Sequence, residues 1–262
     1  MHNAVESAPS LEEKPAVPII RQCQRVIVAT EREKRDMAEH YGAAPETIGV
    51  VPCGVNMDLF QPMDRTAARA RLGFGDEKVL LFVGRIDPVK GVDRLVRSLP
   101  LVAGIDKLKL VIIGGDEASA GEVERLRALA AGLGVGDSVV FRGAVSQPDL
   151  MVYYNAADAT VVPSYYESFG LVGLESLACG TPLVAADVGC LKDIVVPGQT
   201  GIVVADNAPE RLAEGIAKVL AGPAASRESV RDSVRDYSWE SVAGGIVKQL
   251  RYTLCQQREL IA

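Results

Sequence analysis

Short apolar runs recur along this chain, and most are followed by a stretch with helical spacing. The runs are Arg25-Val26-Ile27-Val28-Ala29, Ile48-Gly49-Val50-Val51, Val79-Leu80-Leu81-Phe82-Val83, Leu108–Ile113, Ser138–Phe141, Ala159–Val162, Leu183-Val184-Ala185 and Ile202-Val203-Val204. Their apolar residues are consecutive, not alternating, so the predicted strands are buried on both faces. Helical stretches of about 10 residues separate most of them. They fall near Val92–Leu99, Gly121–Ala131, Asp149–Ala156 and Leu171–Ala178. Strands and helices in this alternation specify an α/β fold, a doubly wound parallel sheet of Rossmann-like type.

The edges are less regular. Residues 1–20 are polar and proline-dotted and read as a lead-in. Thr30 with Glu33 three residues later forms a capping box, which predicts a helix over Glu31–Tyr41. Residues 56–64 read as a long loop around Pro62. Asn207 and Glu210 are expected to cap a helix over Pro209–Leu220, whose apolar residues Leu212, Ile216, Val219 and Leu220 share a face. Trp239, Val242, Ile246, Val247, Leu250 and Leu254 form a last helical stripe.

Composition removes several functional classes. Lys+Arg number 28 against 34 Asp+Glu, a net charge of −6. That balance opposes general binding to nucleic acid or anionic membranes, which needs a basic field. No apolar run approaches the roughly 18 residues of a membrane span. The first residues lack the basic start and apolar stretch of a secretory signal. Five widely spaced cysteines without a CxxC pair fit reduced thiols and a cytoplasmic location. His2 and His40 are the only histidines, which argues against a histidine triad or a multi-histidine metal site.

In open α/β sheets, ligands bind outside the carboxyl ends of the strands. The loop after Val79–Val83 reads Gly84-Arg85-Ile86-Asp87-Pro88-Val89-Lys90-Gly91 and carries neither a dinucleotide nor a P-loop fingerprint. It offers two cations instead. Arg85 has a planar donor fork and Lys90 a compact charge, a pair suited to a diphosphate and to charge developing on a leaving group. The alternative is two solvated surface cations. The loop after Ala159–Val162 reads Pro163-Ser164-Tyr165-Tyr166-Glu167-Ser168-Phe169-Gly170, and a helix should begin near Phe169 or Gly170. Its free N–H groups and positive dipole end suit an anion. Gly170 and Gly173 would allow close approach of a ligand. Glu167 in the loop and Glu175 on the helix could accept from sugar or ribose hydroxyls. The alternatives are an exposed loop acid and a partly enclosed helix acid.

Together these residues are familiar. Gly84-Arg85…Lys90-Gly91 and Glu167-x7-Glu175 within Ser-x-x-Glu-x-Phe-Gly resemble the donor half of retaining GT-B glycosyltransferases of family 4, or group 1. Val51-Pro52-Cys53-Gly54-Val55-Asn56, Ala178-Cys179-Gly180-Thr181-Pro182 and Tyr237-Ser238-Trp239-Glu240 agree. The likeness spans about residues 20 to 255 and is nearest the branch holding sucrose-phosphate synthases and the mycothiol-pathway glycosyltransferase.

The resemblance implies a role for each matched residue. Gly84, Arg85 and Lys90 would hold the diphosphate of a nucleotide-sugar, with UDP favoured. Glu167 would bond hydroxyls of the transferred sugar. Phe169, Gly170, Leu171 and Val172 would contact sugar and phosphate through their backbones. Glu175 would hold the ribose, and the backbone at Gly143 and Val145 would face the base. Arg85, Lys90 and Glu167 would be the catalytic set, with no metal ion and no separate cofactor.

By the same resemblance the chain divides into three parts. Residues 1–54 would be a remnant of an N-terminal acceptor domain otherwise absent, 55–236 the donor domain, and 237–262 a crossing helix. The uncovered stripe of that helix would then offer a surface for self-association. The expected function is donor binding within a glycosyltransferase, the isolated chain being inactive. The alternatives are a nucleotide-sugar-binding module without catalysis and a GT-B nucleotide-sugar 2-epimerase, which fits less well because the cleft would want more histidine and acid.

Overall fold

The first two apolar runs pair with each other, and the other six form a separate sheet. The computed structural model describes residues 17–222 and 225–261. In chain order the elements begin with α1 (Val17–Gln22), β1 (Val26–Val28), α2 (Glu31–Tyr41), β2 (Ile48–Val50), α3 (Arg65–Leu72) and β3 (Lys78–Val83). There follow α4 (Val92–Ser98), β4 (Leu108–Ile113), α5 (Ala120–Gly132), β5 (Val139–Gly143), α6 (Gln147–Ala156) and β6 (Ala159–Val162). The chain ends with α7 (Leu171–Ala178), β7 (Leu183–Ala186), α8 (Leu191–Ile194), β8 (Gly201–Val204), α9 (Pro209–Ala221), α10 (Arg227–Asp232) and α11 (Trp239–Ile261). Contacts divide the chain into two compact units, Met1–Cys53 with Trp239–Ala262, and Gly54–Ser238.

In the smaller unit β1 and β2 pair in parallel, Val26 opposite Ile48. Val28, Ala43 and Ile48 make its buried cluster. Arg25 ties the strand pair to α11, its Nε donating to Gln249 Oε1 at 2.8 Å and its guanidinium lying 4.6 Å from the Tyr252 ring centre. Of the apolar stripe on α11 only Val242 is buried, whereas Trp239, Ile246, Val247, Leu250 and Leu254 are exposed.

In the larger unit all six strands are parallel, in the order β5-β4-β3-β6-β7-β8. The chain winds outward from β3 to β5, returns to the middle, and winds outward again from β6 to β8. Alternate residues Leu80, Phe82, Leu110, Ile112, Val161 and Val184 face one helix layer through Leu95, Leu126, Leu212 and Ile216. α6 and α7 cover the opposite face against β3, β6 and β7. Every residue of β6 and β7 is buried, as consecutive apolar positions require.

The middle of the sheet is fastened at its amino end by Asp158. Its N–H donates to the Val79 carbonyl at 2.8 Å, and its Oδ2 accepts from the Val79 N–H at 2.8 Å. Arg65 reaches its Oδ1 at 2.6 Å, Arg69 its Oδ2 at 3.3 Å and Lys78 its Oδ1 at 3.4 Å. Leu80 is then opposite Ala159 and Leu81 opposite Thr160.

Several local expectations need correction. Val17–Gln22 is helical, although residues 1–20 read as a lead-in, and residues 1–16 lie outside the described residues. α3 was not anticipated. It starts where Asp64 Oδ1 accepts from the Ala67 N–H at 2.7 Å and stops at Gly73, and its apolar content is mostly alanine, which gives a weak stripe. α8 and α10 were also missed, being only 4 and 6 residues long. Asn207 does not cap α9. It donates to the Pro163 carbonyl at 3.0 Å, and α9 starts at Ala208 without a side-chain cap. Thr30 caps α2, its Oγ1 accepting from the Glu33 N–H at 3.0 Å, but the reciprocal half of the expected capping box does not form, because the Glu33 carboxylate accepts from the N–H of Ala29 instead of Thr30.

Removing the Asp158 carboxylate leaves Arg69 and the Val79 N–H without their shared partner. Asp158→Ala is expected to destabilise the larger unit by about 3 kcal/mol, the scale for breaking a buried ionic cluster. A denaturant titration checks this as a lowered midpoint.

Candidate functional site

β3 and β6 are where the winding reverses, so the loops leaving their carboxyl ends diverge around a crevice. These are the loops Gly84–Gly91 and Pro163–Gly170. The first turns tightly at Pro88–Lys90, where Asp87 Oδ1 accepts from the Val89 N–H at 2.8 Å. Gly91 then crosses under the second loop at φ +65°, and a Cβ there would stand 2.2 Å from the Pro163 carbonyl oxygen. Only glycine meets both conditions. The N–H of Tyr165 closes the clasp by donating to the Val89 carbonyl at 2.8 Å.

The clasp brings two of the expected site residues together. Lys90 Nζ lies 2.7 Å from Glu167 Oε1, each side chain being 17% exposed. The same oxygen accepts from Ser164 Oγ at 2.8 Å. Lys90 is therefore a held cation and Glu167 a held acid, neither of them a freely solvated surface charge. Arg85 is placed differently. Its side chain is 77% exposed and approaches Asp87 at 3.5 Å. With Gly84, the Gly114–Asp116 turn after β4 and Val145, it lines a cleft of about 720 Å³. Gly143 ends β5 at φ +69° and accepts from the N–H of Gly114 at 2.8 Å.

α7 begins behind Glu167. Gly170 is its N-terminal boundary residue at φ +98°, and no side chain caps it. The first N–H groups, those of Leu171 and Val172, thus have no capping side chain, and a helix of eight residues places its positive end there. Phe169 is buried, edge-on to Tyr237 at 6.2 Å, and its carbonyl accepts from Cys190 Sγ at 2.8 Å. Gly170 and Gly173 make room for protein rather than ligand. A Cβ at either would come within 2.7 or 2.9 Å of Leu191, and Gly173 is buried.

Glu175 stands apart from the Lys90–Glu167 pair. Its Oε2 accepts from the Tyr154 hydroxyl at 2.7 Å. Burial raises its pKa above 4.5, partly offset by the tyrosine's hydrogen bond. Burial, with the Glu175 charge beside it, drives the Tyr154 phenol well above 10. Sequence reasoning missed Tyr154 because a tyrosine on the inner face of a helix reads as core. Ser164 was visible in the Ser-x-x-Glu spacing without an assigned part. Among the described residues, no group of three or more His, Cys, Asp or Glu is placed to hold a metal ion. Among the described residues, no helix is long and apolar enough to cross a membrane.

Residues 64–236 match the family model described as glycosyl transferases group 1. The chain belongs to this family. D-inositol 3-phosphate glycosyltransferase from Acidothermus cellulolyticus is 42% identical over 250 residues, covering 92% of this chain and 56% of that protein. Sucrose-phosphate synthase from Thermosynechococcus elongatus superposes with a TM-score of 0.81 at 34% identity, covering 92% of this chain and 61% of that one. HepE from Anabaena, solved in complex with UDP, superposes with a TM-score of 0.82 at 22% identity, covering 90% and 66%. The group 1 chain thus has an α/β sheet of GT-B type and spans little more than half the length of the curated relatives it matches.

The raised pKa of Glu175 has a consequence for stability. A carboxyl whose native pKa exceeds its unfolded value binds more protons when folded. Its contribution is full below the unfolded value and is lost as the pH rises through the native one. Glu175→Gln is therefore expected to gain thermal stability relative to the parent between about pH 5 and about pH 8. Equal melting temperatures of the two proteins throughout that range would contradict the assignment.

Proposed function

We propose that Gly54–Ser238 binds the nucleoside diphosphate and sugar of a nucleotide-sugar, and that the transferase built on it moves the sugar with retention of configuration. The observation that carries the reading is the Lys90–Glu167 pair beneath the uncapped start of α7, at the reversal of the winding. A cation, a helix terminus and a sugar-competent acid converge there. UDP is favoured because HepE, which shares the fold, was solved with it.

Each residue has a part in this reading. Lys90 Nζ and the Arg85 guanidinium offset the negative charge that develops on the diphosphate as the glycosidic bond breaks. Arg85 reaches it by leaving its loose contact with Asp87, which an exposed side chain does at little cost. The N–H groups of Leu171 and Val172 donate to phosphate oxygens at the helix end. Glu167 turns from Lys90 to the hydroxyls of the transferred sugar, and Phe169 and Gly170 shape the backbone beside it. Glu175 accepts from the ribose, and the base enters the cleft lined by Gly84 and Val145. Charge compensation rests on these groups and calls for no metal ion.

A binding module without turnover is the second reading, favoured by one observation. The chain aligns with only 56% of the Acidothermus relative. In this second reading, acceptor recognition belongs to residues outside the matched part.

Calorimetry against UDP, GDP and ADP tests donor binding, and no heat with any of them would remove the site. Lys90→Ala and Arg85→Ala are each expected to weaken UDP binding by about 1.5–3 kcal/mol, the scale of a charge-assisted hydrogen bond. Wild-type affinity in both would exclude them. Where turnover is reconstituted with an acceptor-binding portion, excess EDTA is expected to leave the rate unchanged. The 262 residues alone should bind donor without transferring sugar.

A further inference from the structure

Glu175 is a strained choice for a ribose ligand. An ionised carboxylate accepts from two hydroxyls far more strongly than a neutral acid, and burial opposes its ionisation. Something must hold it in the charged form and in one orientation. We propose that Tyr154 is a positioning residue of the nucleotide site: its hydroxyl fixes one oxygen of Glu175 so that the other is presented to the 2′- and 3′-hydroxyls of a ribonucleotide. The proposal rests on the donor-site reading above and adds a residue and a ligand preference to it.

The geometry is specific. Tyr154 is fully buried on α6, its ring edge-on to Phe60 at 5.9 Å. Its carbonyl accepts from Thr181 Oγ1 at 2.6 Å, so the backbone that carries the ring is fixed as well. The phenol donates to Glu175 Oε2 at 2.7 Å. Among the described residues, no hydrogen-bond donor reaches Oε1. A buried phenol without a partner would be costly, so the ring cannot easily turn away.

Among the described residues, no other charged or titratable group on the elements packed against α7 hydrogen-bonds Glu175: neither Glu228 nor Asp232 of α10, the latter held by Arg235 at 2.8 Å, nor Tyr153 of α6, nor the groups that follow. Cys179, one turn along, is a thiol that burial pushes up to about 12, so it stays neutral. From α10, Arg227 Nη2 donates to the Cys179 carbonyl at 2.6 Å and Arg231 Nη1 to the Ala178 carbonyl at 2.8 Å. α8 carries Lys192, paired with Asp187 at 3.5 Å, and Asp193. Arg71 pairs with Asp149 on α6 at 2.8 Å. The phenol is thus the group that hydrogen-bonds the Glu175 carboxylate.

The consequence is a pH-dependent preference for ribose. Protonated Glu175 is the weaker acceptor for both hydroxyls, so discrimination falls as the pH drops through its pKa. Removing the phenol donor raises that pKa further, and discrimination is then lost at a higher pH. UDP also titrates on its own phosphate. The ratio of UDP affinity to that of 2′,3′-dideoxy-UDP cancels that contribution.

The experiment measures this ratio calorimetrically on the full chain from about pH 5 to about pH 8, for the parent, Tyr154→Phe, Glu175→Gln and the double variant. The parent is expected to prefer UDP by about tenfold or more at neutral pH, the worth of a hydroxyl bonded to a charged acceptor. Tyr154→Phe should lose most of that preference and shift its pH midpoint upward. In the Glu175→Gln background, Tyr154→Phe should change nothing further. A melting curve for each variant separates misfolding from loss of positioning, and the Glu175→Gln background provides the comparison that misfolding alone would not satisfy. Equal weakening of both nucleotides by Tyr154→Phe, or an unchanged ratio and midpoint, would overturn the proposal alone. Failure of the parent to bind either nucleotide would overturn the donor-site reading and the proposal with it.

Discussion

The pairing of β3 with β6 is the constraint on which the rest of the larger unit depends. These strands lie 76 residues apart in sequence, counting from Val83 to Ala159, yet they occupy the middle of one sheet. Asp158 supplies both a backbone donor and a side-chain acceptor to Val79, while three basic side chains surround its carboxylate. Once the amino ends are fastened, parallel pairing sets the carboxyl ends level. The loops at those ends must then meet, and what they carry becomes the site.

The candidate site is charged but internally compensated. Lys90 is spent on Glu167, and Glu167 also on Ser164. Such compensation keeps a part-buried cation and acid affordable without ligand, because an unpaired charge at that depth is costly. In the proposed reading, a diphosphate replaces the acid as partner of Lys90, and sugar hydroxyls replace Lys90 as partners of Glu167. Binding then exchanges polar contacts instead of creating them, so specificity arises from geometry more than from added attraction.

Legibility in the sequence followed how strongly each element is marked. β6 and α7 stand at the expected residues because the four residues of β6 are all buried and Gly170 gives α7 a sharp start. α3 escaped notice because alanine buries little and its arginines dominate the local composition, although Asp64 and Gly73 mark both its ends. At the candidate site, residue types and spacing singled out Lys90, Glu167 and Glu175 as candidates. They could not say that Lys90 meets Glu167 while Arg85 does not. That difference comes from the turn at Pro88 and the crossing at Gly91, where backbone φ, not side-chain chemistry, decides direction. Tyr154 carried no signal, since its hydroxyl matters only through a residue 21 positions later.

In the proposed reading, donor binding depends on Lys90 being held by Glu167 until diphosphate displaces it. A double-mutant cycle on UDP affinity, with Lys90→Met, Glu167→Gln and both together, measures this coupling directly. Glu167→Gln alone is expected to tighten UDP binding by freeing the lysine, Lys90→Met to weaken it, and the double variant to match Lys90→Met. Additive effects, or a Glu167→Gln variant that binds UDP no better than the parent, would contradict the proposed reading.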